Sequence, residues 1–577
     1  MATIQSKISR GHKYWYIVES RRVSGKPRPV VLAYLGKADD LLKRLQGLYD
    51  LKLKSYSHGA ICALIDVAAR LDIVSILNKY VKSSRDYVAE KPVRNKLTAG
   101  ITFVLGAIGR VCMPTSKRGW WNWAKTTSAE YLLRCSLSKI DSQHFWDLMD
   151  CFPEDAIPLA EQEILNRLLE AYKIQTDTLF YDTTNFFTYI DTTNTHCEIA
   201  QRGKNKQKRN DLRQVGLAMV VSKEDYIPLF HYSYQGNLQD VTVFREVVGK
   251  IKDRMQSLGL SQDTHTLVFD RGNNSKKNLD IVNEFRFYYV GALTPYHHQA
   301  IIDRAMEGMT NIKVNHETLA AYREKSMIWG DEKTILVFIS ERLKAGQIRG
   351  IYQSLTKKEK SLKELQQALV NPKGKKRDRK ELEKKIRTIT TGQYLKDVIK
   401  WKLIEIEEGK FFMDYYIDNE QLHCVEEKLG FRMIMTNRHK WTSQEIISAY
   451  YGQSRIEHAF RNLKNPYHLS LKPQYHWTDQ KIKVHYFICV IGYLLSSIIW
   501  REARLKAGYT GSLDNLLVLL NNIRLGTMLE ESKKTGKPKA IYKLEEMTPA
   551  EKEILMALGV ENAHNERPRI KDVGVYK

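Results

Sequence analysis

Three acidic residues, far apart in the chain, define the chemistry this sequence could perform. Asp182 closes the apolar run Leu179-Phe180-Tyr181, and Asp270 closes Leu267-Val268-Phe269 just ahead of Arg271-Gly272-Asn273. Carboxylates at strand ends converge on the functional cleft of an α/β sheet. Two of them on adjacent strands are hard oxygen donors suited to Mg2+, which keeps several waters and binds through one or two carboxylates together with substrate phosphate. A single strand-end Asp is more often a turn or helix cap, so the weight rests on the pair.

The third acid lies in AYYGQSRIEHAFRNLK, residues 449–464, whose spacing predicts a helix. At 3.6 residues per turn, Tyr450, Gln453, Glu457, Phe460 and Lys464 share a stripe of roughly 80°. Ile456, Ala459 and Leu463 form the apolar face beside it, so Glu457 stands near the edge of the buried stripe, where a helix packed on a sheet reaches a cleft. On the far side Arg455, His458 and Asn462 face solvent or DNA, with Arg461 between them and Glu457. Glu457 also reads as a surface residue in an i,i+4 pair with Arg461, and periodicity alone leaves both readings open.

The elements that must position these acids follow from the pattern around them. TDTLFYDTTNFF, RQVGLAMVVS, YIPLFHYSYQGN and THTLVFD read as four strands, with the helical run VTVFREVVGKIKDRMQSLG between the third and fourth. That order is the order of a ribonuclease-H-like α/β core, and FRFYYVGAL supplies a fifth strand. Residues 1–50 read as a module whose runs around Ser24-Gly25-Lys26-Pro27 predict a β-hairpin, and residues 51–172 read as a helical DNA-binding domain. The core occupies 173–300 and resumes over 431–505 with GFRMIMTN and the Glu457 helix. Between them, 301–430 is an insertion holding a Lys-rich helical pair around the turn NPKG (371–374) and two β-like runs. Residues 506–577 form a helical C-terminal region, in which SLDNLLVLLNNIRLGTML either pairs subunits or packs internally.

Lys and Arg number 91 against 66 Asp and Glu, a net charge of +25. Such a surplus attracts a polyanion, and nucleic acid leads because the cations do not line one face of a membrane anchor. The apolar stretch Val484–Trp500 falls slightly short of the roughly 20 residues a span requires and reads as a buried core helix, so no membrane partner is expected. Seven scattered cysteines without zinc or redox spacing fit a reducing compartment. The N-terminal residues have no apolar core of signal-peptide length, so export is not expected and a cytoplasmic, nucleoid-associated location is. The Lys117–Trp123 cluster, KRGWWNW, either grips DNA or is a Trp-rich packing patch.

The Glu457 segment resembles the YREK signature of the insertion-sequence DDE transposases: Tyr, two residues, Arg, three residues, Glu, six residues, Lys. Tyr450, Glu457 and Lys464 match at those spacings, while Gln453 stands where the family has Arg. YDTTNFF is similar to the family's first-Asp strand, VFDRGNNS to its second, and GFRMIMTN to the strand ahead of the Glu helix. GKNKQKRNDLRQ (203–214) is similar to the family's basic segment before the second strand, and contains Arg209 and Arg213. Asp182 and Asp270 are 88 residues apart and Asp270 and Glu457 187 apart, the second gap matching members with a β-rich insertion.

The resemblance implies a Mg2+-dependent endonuclease and strand transferase, with Mn2+ as a substitute, acting on double-stranded DNA at terminal inverted repeats and on target DNA. In such enzymes two ions about 3.5 to 4 Å apart clamp the attacking and leaving oxygens of an in-line displacement. Asp182 would bridge the two ions, with Asp270 and Glu457 each completing one shell. Tyr450, Lys464, Arg455, Arg461, Arg209 and Arg213 would contact DNA, and a homodimer would hold the two element ends. Trp401 in the insertion is a candidate stacking partner for an unpaired base. Two other readings stay open: a transposase-derived DNA-binding protein that has lost the reaction, and a nuclease of the same core without strand transfer.

Overall fold

The computed structural model describes residues 2–574 apart from 24–25, 40–41, 43–50, 82–96, 192, 206, 261–263, 316, 371–376, 393, 396 and 531–538. The chain is a mixed α/β protein that divides into two compact units: Met1–Arg167 with Leu463–Gln474 and Gln480–Lys577, and Leu168–Asn462 with Tyr475–Asp479.

The first unit opens with an antiparallel sheet of β1 (Ala2–Ser9), β2 (His12–Val23) and β3 (Lys26–Gly36) in that order. The expected hairpin therefore gains a strand. Every residue of β1 is exposed, so it lacks the inside-outside alternation that marks a strand in sequence. Tyr14 and Tyr16 on β2 pack their rings on Tyr34 of β3, and the turn residues Ser24 and Gly25 lie outside the described residues. Next, β4 (Leu51–Ser57) joins a second sheet with Arg524–Glu530 and Lys539–Leu544, so helix begins at Gly59 and not at residue 51. The segments Gly59–Arg70, Ile73–Tyr80 and Ala99–Cys112 are buried helices. The helix Asp479–Ala507 is long and apolar enough to cross a membrane, but 94% of its apolar window is buried in the protein, as a core helix requires. In the Trp cluster, Trp120 is buried, donates its indole N–H to the Leu105 carbonyl at 3.2 Å and meets Trp123 and Phe145 edge-on. Those contacts belong to a packing patch.

The second unit is built on a nine-stranded sheet. In chain order its strands are β5 (Thr178–Phe187), β6 (Gln214–Ser222), β7 (Pro228–Gln235), β8 (Thr266–Phe269), β9 (Tyr288–Leu293), β10 (Thr310–Val314), β11 (Glu317–Ile328), β12 (Asp331–Ile339) and β15 (Phe431–Thr436), and in space they run β10-β11-β12-β15-β9-β8-β5-β6-β7. Antiparallel pairing joins β5 to β6 and β6 to β7, while β5, β8 and β9 run parallel. The helix α1 (Asp240–Ser257) makes the crossover from β7 to β8, laying Val243, Phe244, Val247, Val248 and Ile251 into the core. β6 and β8 are buried along their full length, which is why they read as continuous apolar runs.

Residues 310–339, placed within the insertion by sequence, are hydrogen-bonded into this same sheet: β12 pairs with β15, and β15 with β9. What remains apart is a helical pair, Glu341–Val370 and Arg379–Thr390, with a hairpin of β13 (Ile399–Glu407) and β14 (Lys410–Ile417). These share their own core of Leu355, Leu362, Ile386, Leu403 and Met413. The NPKG turn, 371–374, lies outside the described residues.

Candidate active site

The pairing of β5 with β8 positions the two aspartates. In register, Tyr181 stands opposite Phe269, so Asp182 and Asp270 occupy the next step on neighbouring parallel strands. Strands in a sheet lie about 4.8 Å apart, which sets the scale of the backbone separation. Asp182 falls in the middle of β5, not at its end, since the strand continues to Phe187. Asp270 ends β8 and caps a short 3-10 turn, accepting the Arg271 backbone N–H at 2.6 Å.

Asp182 is half-buried, and its carboxyl is pushed up from the usual carboxylate range to about 7. Burial is the largest cause. The Thr183 backbone N–H opposes it, and the negative charges of Asp270, Asp240 and Glu457 add to it. All three neighbours are thus close enough for their charge to be felt at Asp182. Asp240 was not singled out from sequence, because an acid in the first turn of a helix looks like an ordinary response to the helix dipole. In the fold it accepts a hydrogen bond from the Thr183 hydroxyl at 2.8 Å, directly beside Asp182.

Glu457 is reached through a break in its helix. The predicted single helix is two: α2 (Ser443–Tyr451) and α3 (Ser454–Lys464), separated at Gly452-Gln453. Tyr450 and Glu457 therefore sit on consecutive helices joined by a tight turn, in which the Gln453 N–H donates to the Tyr450 carbonyl at 3.0 Å, so the angles expected of one continuous helix do not apply across it. The chain makes a close approach at this step. A Cβ on Gly452 would meet the Phe180 ring of β5 at 2.3 Å, so only glycine lets the chain touch the strand two residues before Asp182. Arg455 then lies over the Phe180 ring, 5.5 Å from its centroid. Ile456, Ala459, Phe460 and Leu463 are buried as expected, and Glu457 and Arg461 are exposed. Asn462, assigned to the outer face, is instead buried, with its amide 3.3 Å from His458 Nδ1.

Tyr450 accepts a hydrogen bond from Arg432 of β15 at 3.1 Å. Burial raises its phenol, Arg432 lowers it, and Asp270 is again near enough to raise it. Arg432 was missed, although a cation inside the apolar strand FRMIMT was a signal; its Nε is buried with no partner. The proposed DNA contacts fall as follows. Arg209 forks onto Asp211 at 2.9 and 2.7 Å, and Arg213 donates twice to the Asn194 carbonyl at 3.1 Å. Lys464 is exposed at the end of α3, within the other unit. Trp401 stands on β13 opposite Tyr415 and packs on the insertion's own core.

The charged side chains that act on Asp182 are all carboxylates, the chemistry a hard divalent cation takes. Burial accounts for most of the raised proton affinity of Asp182, and the neighbouring negative charges, which a cation would neutralise, add to it. As placed, no three His, Cys, Asp or Glu side chains among the described residues are grouped closely enough to hold a metal ion. The fold therefore brings Asp182 and Asp270 side by side and Glu457 into electrostatic range.

These features define a mixed α/β protein with an acidic site on the central sheet. Residues 2–57 match the family model described as IS1634 family transposase, N-terminal domain, and this match supports an insertion-sequence transposase. No curated protein matches the chain. Among solved structures, it is similar to the cryo-EM structure of the piggyBac transposase synaptic complex with hairpin DNA, at 7% identity and a TM-score of 0.37, with 81% of this chain and 79% of that chain covered. At that score the likeness carries no argument.

Proposed function

We propose that this chain is a DDE transposase that cuts at the terminal inverted repeats of its insertion sequence and joins the 3′-hydroxyl ends to target DNA. The observation that carries the reading is the β5–β8 register, which sets Asp182 beside Asp270, with Glu457 in electrostatic range of Asp182. The spatial order β9-β8-β5-β6-β7, with β5–β7 antiparallel and β5, β8 and β9 parallel, supports a ribonuclease-H-like core. The match over residues 2–57 supports the transposase class. The surplus of 91 cations over 66 acids supports a DNA partner and a nucleoid-associated, cytoplasmic location.

Asp182, Asp270 and Glu457 would hold Mg2+, or Mn2+ in its place, and the bound ions would supply charge neutralisation at the scissile phosphate and activation of the attacking oxygen. Asp182 and Asp270 offer oxygens fixed by strand register. Glu457 is delivered by the docking of α3 on Phe180. Tyr450 and Lys464 would hold phosphates beside the scissile bond, and a homodimer would hold both ends.

The test is cleavage of a duplex carrying the element ends. Asp182→Asn, Asp270→Asn and Glu457→Gln are expected each to abolish metal-dependent cleavage while end binding persists. Cleavage at the native rate by all three would end the assignment. A second reading, DNA binding without cutting, draws on the absence of a closed ligand group among the described residues, and end binding with no nicking in Mg2+ or Mn2+ would favour it.

A further inference from the structure

We propose that the loop between β5 and β6, with the segment Tyr475–Asp479 strapped to it, is a stacking platform for unpaired DNA bases. This deepens the transposase reading and rests on it for the source of the strand. Tyr189, Tyr475 and Trp477 are 54%, 59% and 51% exposed. They are held in two pairs: Tyr189 with Tyr475, centroids 5.9 Å apart and tilted by 38°, and His196 with Trp477, 5.9 Å apart and edge-on at 79°. The pairs are rigidly mounted. The Asp479 carboxylate accepts the backbone N–H groups of Glu198 and Ile199 at 2.9 and 3.0 Å, Asn194 donates to the Trp477 carbonyl at 3.3 Å, and Arg213 clamps the Asn194 carbonyl.

The loop that carries Tyr189 and His196 is rich in cations. Residues 188–213 contain six Lys and Arg against three Asp and Glu. Arg202 and Arg209 are exposed, and Arg209 lies in electrostatic range of Tyr189. Exposed aromatic rings on a cation-rich segment are the physical recipe for binding single strands, since every base has a face to stack and a phosphate to neutralise. A duplex keeps its base faces covered, so only unpaired nucleotides can use the rings. Tyr189 follows Asp182 by seven residues, most of them in strand, which at about 3.3 Å per residue places it within roughly 23 Å along the chain. A strand whose phosphate occupies the acidic site reaches that far in a few nucleotides.

The full-length protein is titrated, in EDTA, with a fluorescein-labelled oligothymidylate and with a blunt duplex of equal length. Tyr189→Ala and Tyr475→Ala are each expected to weaken oligothymidylate binding by about tenfold and duplex binding by less than about twofold, while Tyr189→Phe and Tyr475→Phe bind as the native chain does. The oligothymidylate should also quench native tryptophan emission, and Trp477→Phe should remove that part of the quench, so the platform is tested even where the alanine variants fail to fold. Unchanged oligothymidylate affinity, or equal losses on both probes, overturns the proposal. A shift in sedimentation without a change in affinity also overturns it and assigns the rings to a protein interface. Because the titration contains no divalent metal, Asp182→Asn protein that cleaves normally would sink the transposase reading and leave this measurement intact.

Discussion

Asp182→Asn should stabilise the metal-free protein around β5, by an amount that depends on pH. The Asp182 carboxyl titrates near 7 in the fold against an ordinary value of 3.8, a difference of about 3 units, and each unit is worth about 1.36 kcal/mol. The ceiling is therefore on the order of 4 kcal/mol, and with water reaching a half-buried group roughly 2 to 4 is expected. A raised folded-state value means that the native chain holds a proton which the unfolded chain releases. Stability thus falls as pH rises from about 4 to about 7, and the full penalty stands above 7. Asn cannot ionise, so the variant should exceed the native chain at pH 8 and equal it near pH 4.

Hydrogen exchange of the β5 amides reads this locally, without requiring a single unfolding transition for a chain of two units. Adding Mg2+ should reverse the order. A cation bound only by the folded carboxylates raises native protection with concentration, and the variant should respond less. Equal β5 protection in the two proteins at pH 8, or a variant advantage that persists undiminished at pH 4, would refute the reasoning.

Two further outcomes follow from the same site. Asp240→Asn keeps an acceptor for the Thr183 hydroxyl but removes one of the charges that raise Asp182, so the acid limb of the cleavage pH profile should move to lower pH; an unmoved limb would show that Asp240 is electrostatically silent. Gly452→Ala drives a methyl into the Phe180 ring and should cost about 1 to 3 kcal/mol in urea unfolding together with most cleavage activity; Gly452→Ala combined with Phe180→Leu should restore part of both, and a single variant as active as the native chain would remove Gly452 from the account.

Legibility in the sequence tracked how local each cause was. The strands that carry Asp182 and Asp270 were readable because buried parallel strands are continuous apolar runs, and their helix crossover showed the 3.6 period. The strands β10–β12 were read as insertion because β11 alternates mostly between exposed and half-exposed positions, giving little sign that it extends a core sheet. The break at Gly452 was invisible for a different reason. A lone glycine is tolerated in a helix at about 1 kcal/mol, and what forbids a side chain there is Phe180, 272 residues earlier in the chain. Asn462 keeps the His458 side of the unbroken helix α3, and its burial comes from what covers that side, which the helical period does not reveal.

The three acids therefore differ in how firmly the fold sets them. Backbone hydrogen bonds on both sides of β5 fix the register of Asp182, and the β8 pairing fixes Asp270 one strand away. Shifting either by a residue would turn its side chain to the opposite face of the sheet. Glu457 is held instead by side-chain packing, with Gly452 and Arg455 against Phe180, His458 beside Tyr226 and the apolar face of α3 buried, which can slide or tilt without breaking a ladder. The negative charges of Asp270, Asp240 and Glu457 all raise the Asp182 carboxyl, so a bound cation would lower the cost of bringing Glu457 closer. On this account the third acid is the adjustable one: its distance from Asp182 should shorten on adding Mg2+ while the Asp182 to Asp270 separation stays fixed.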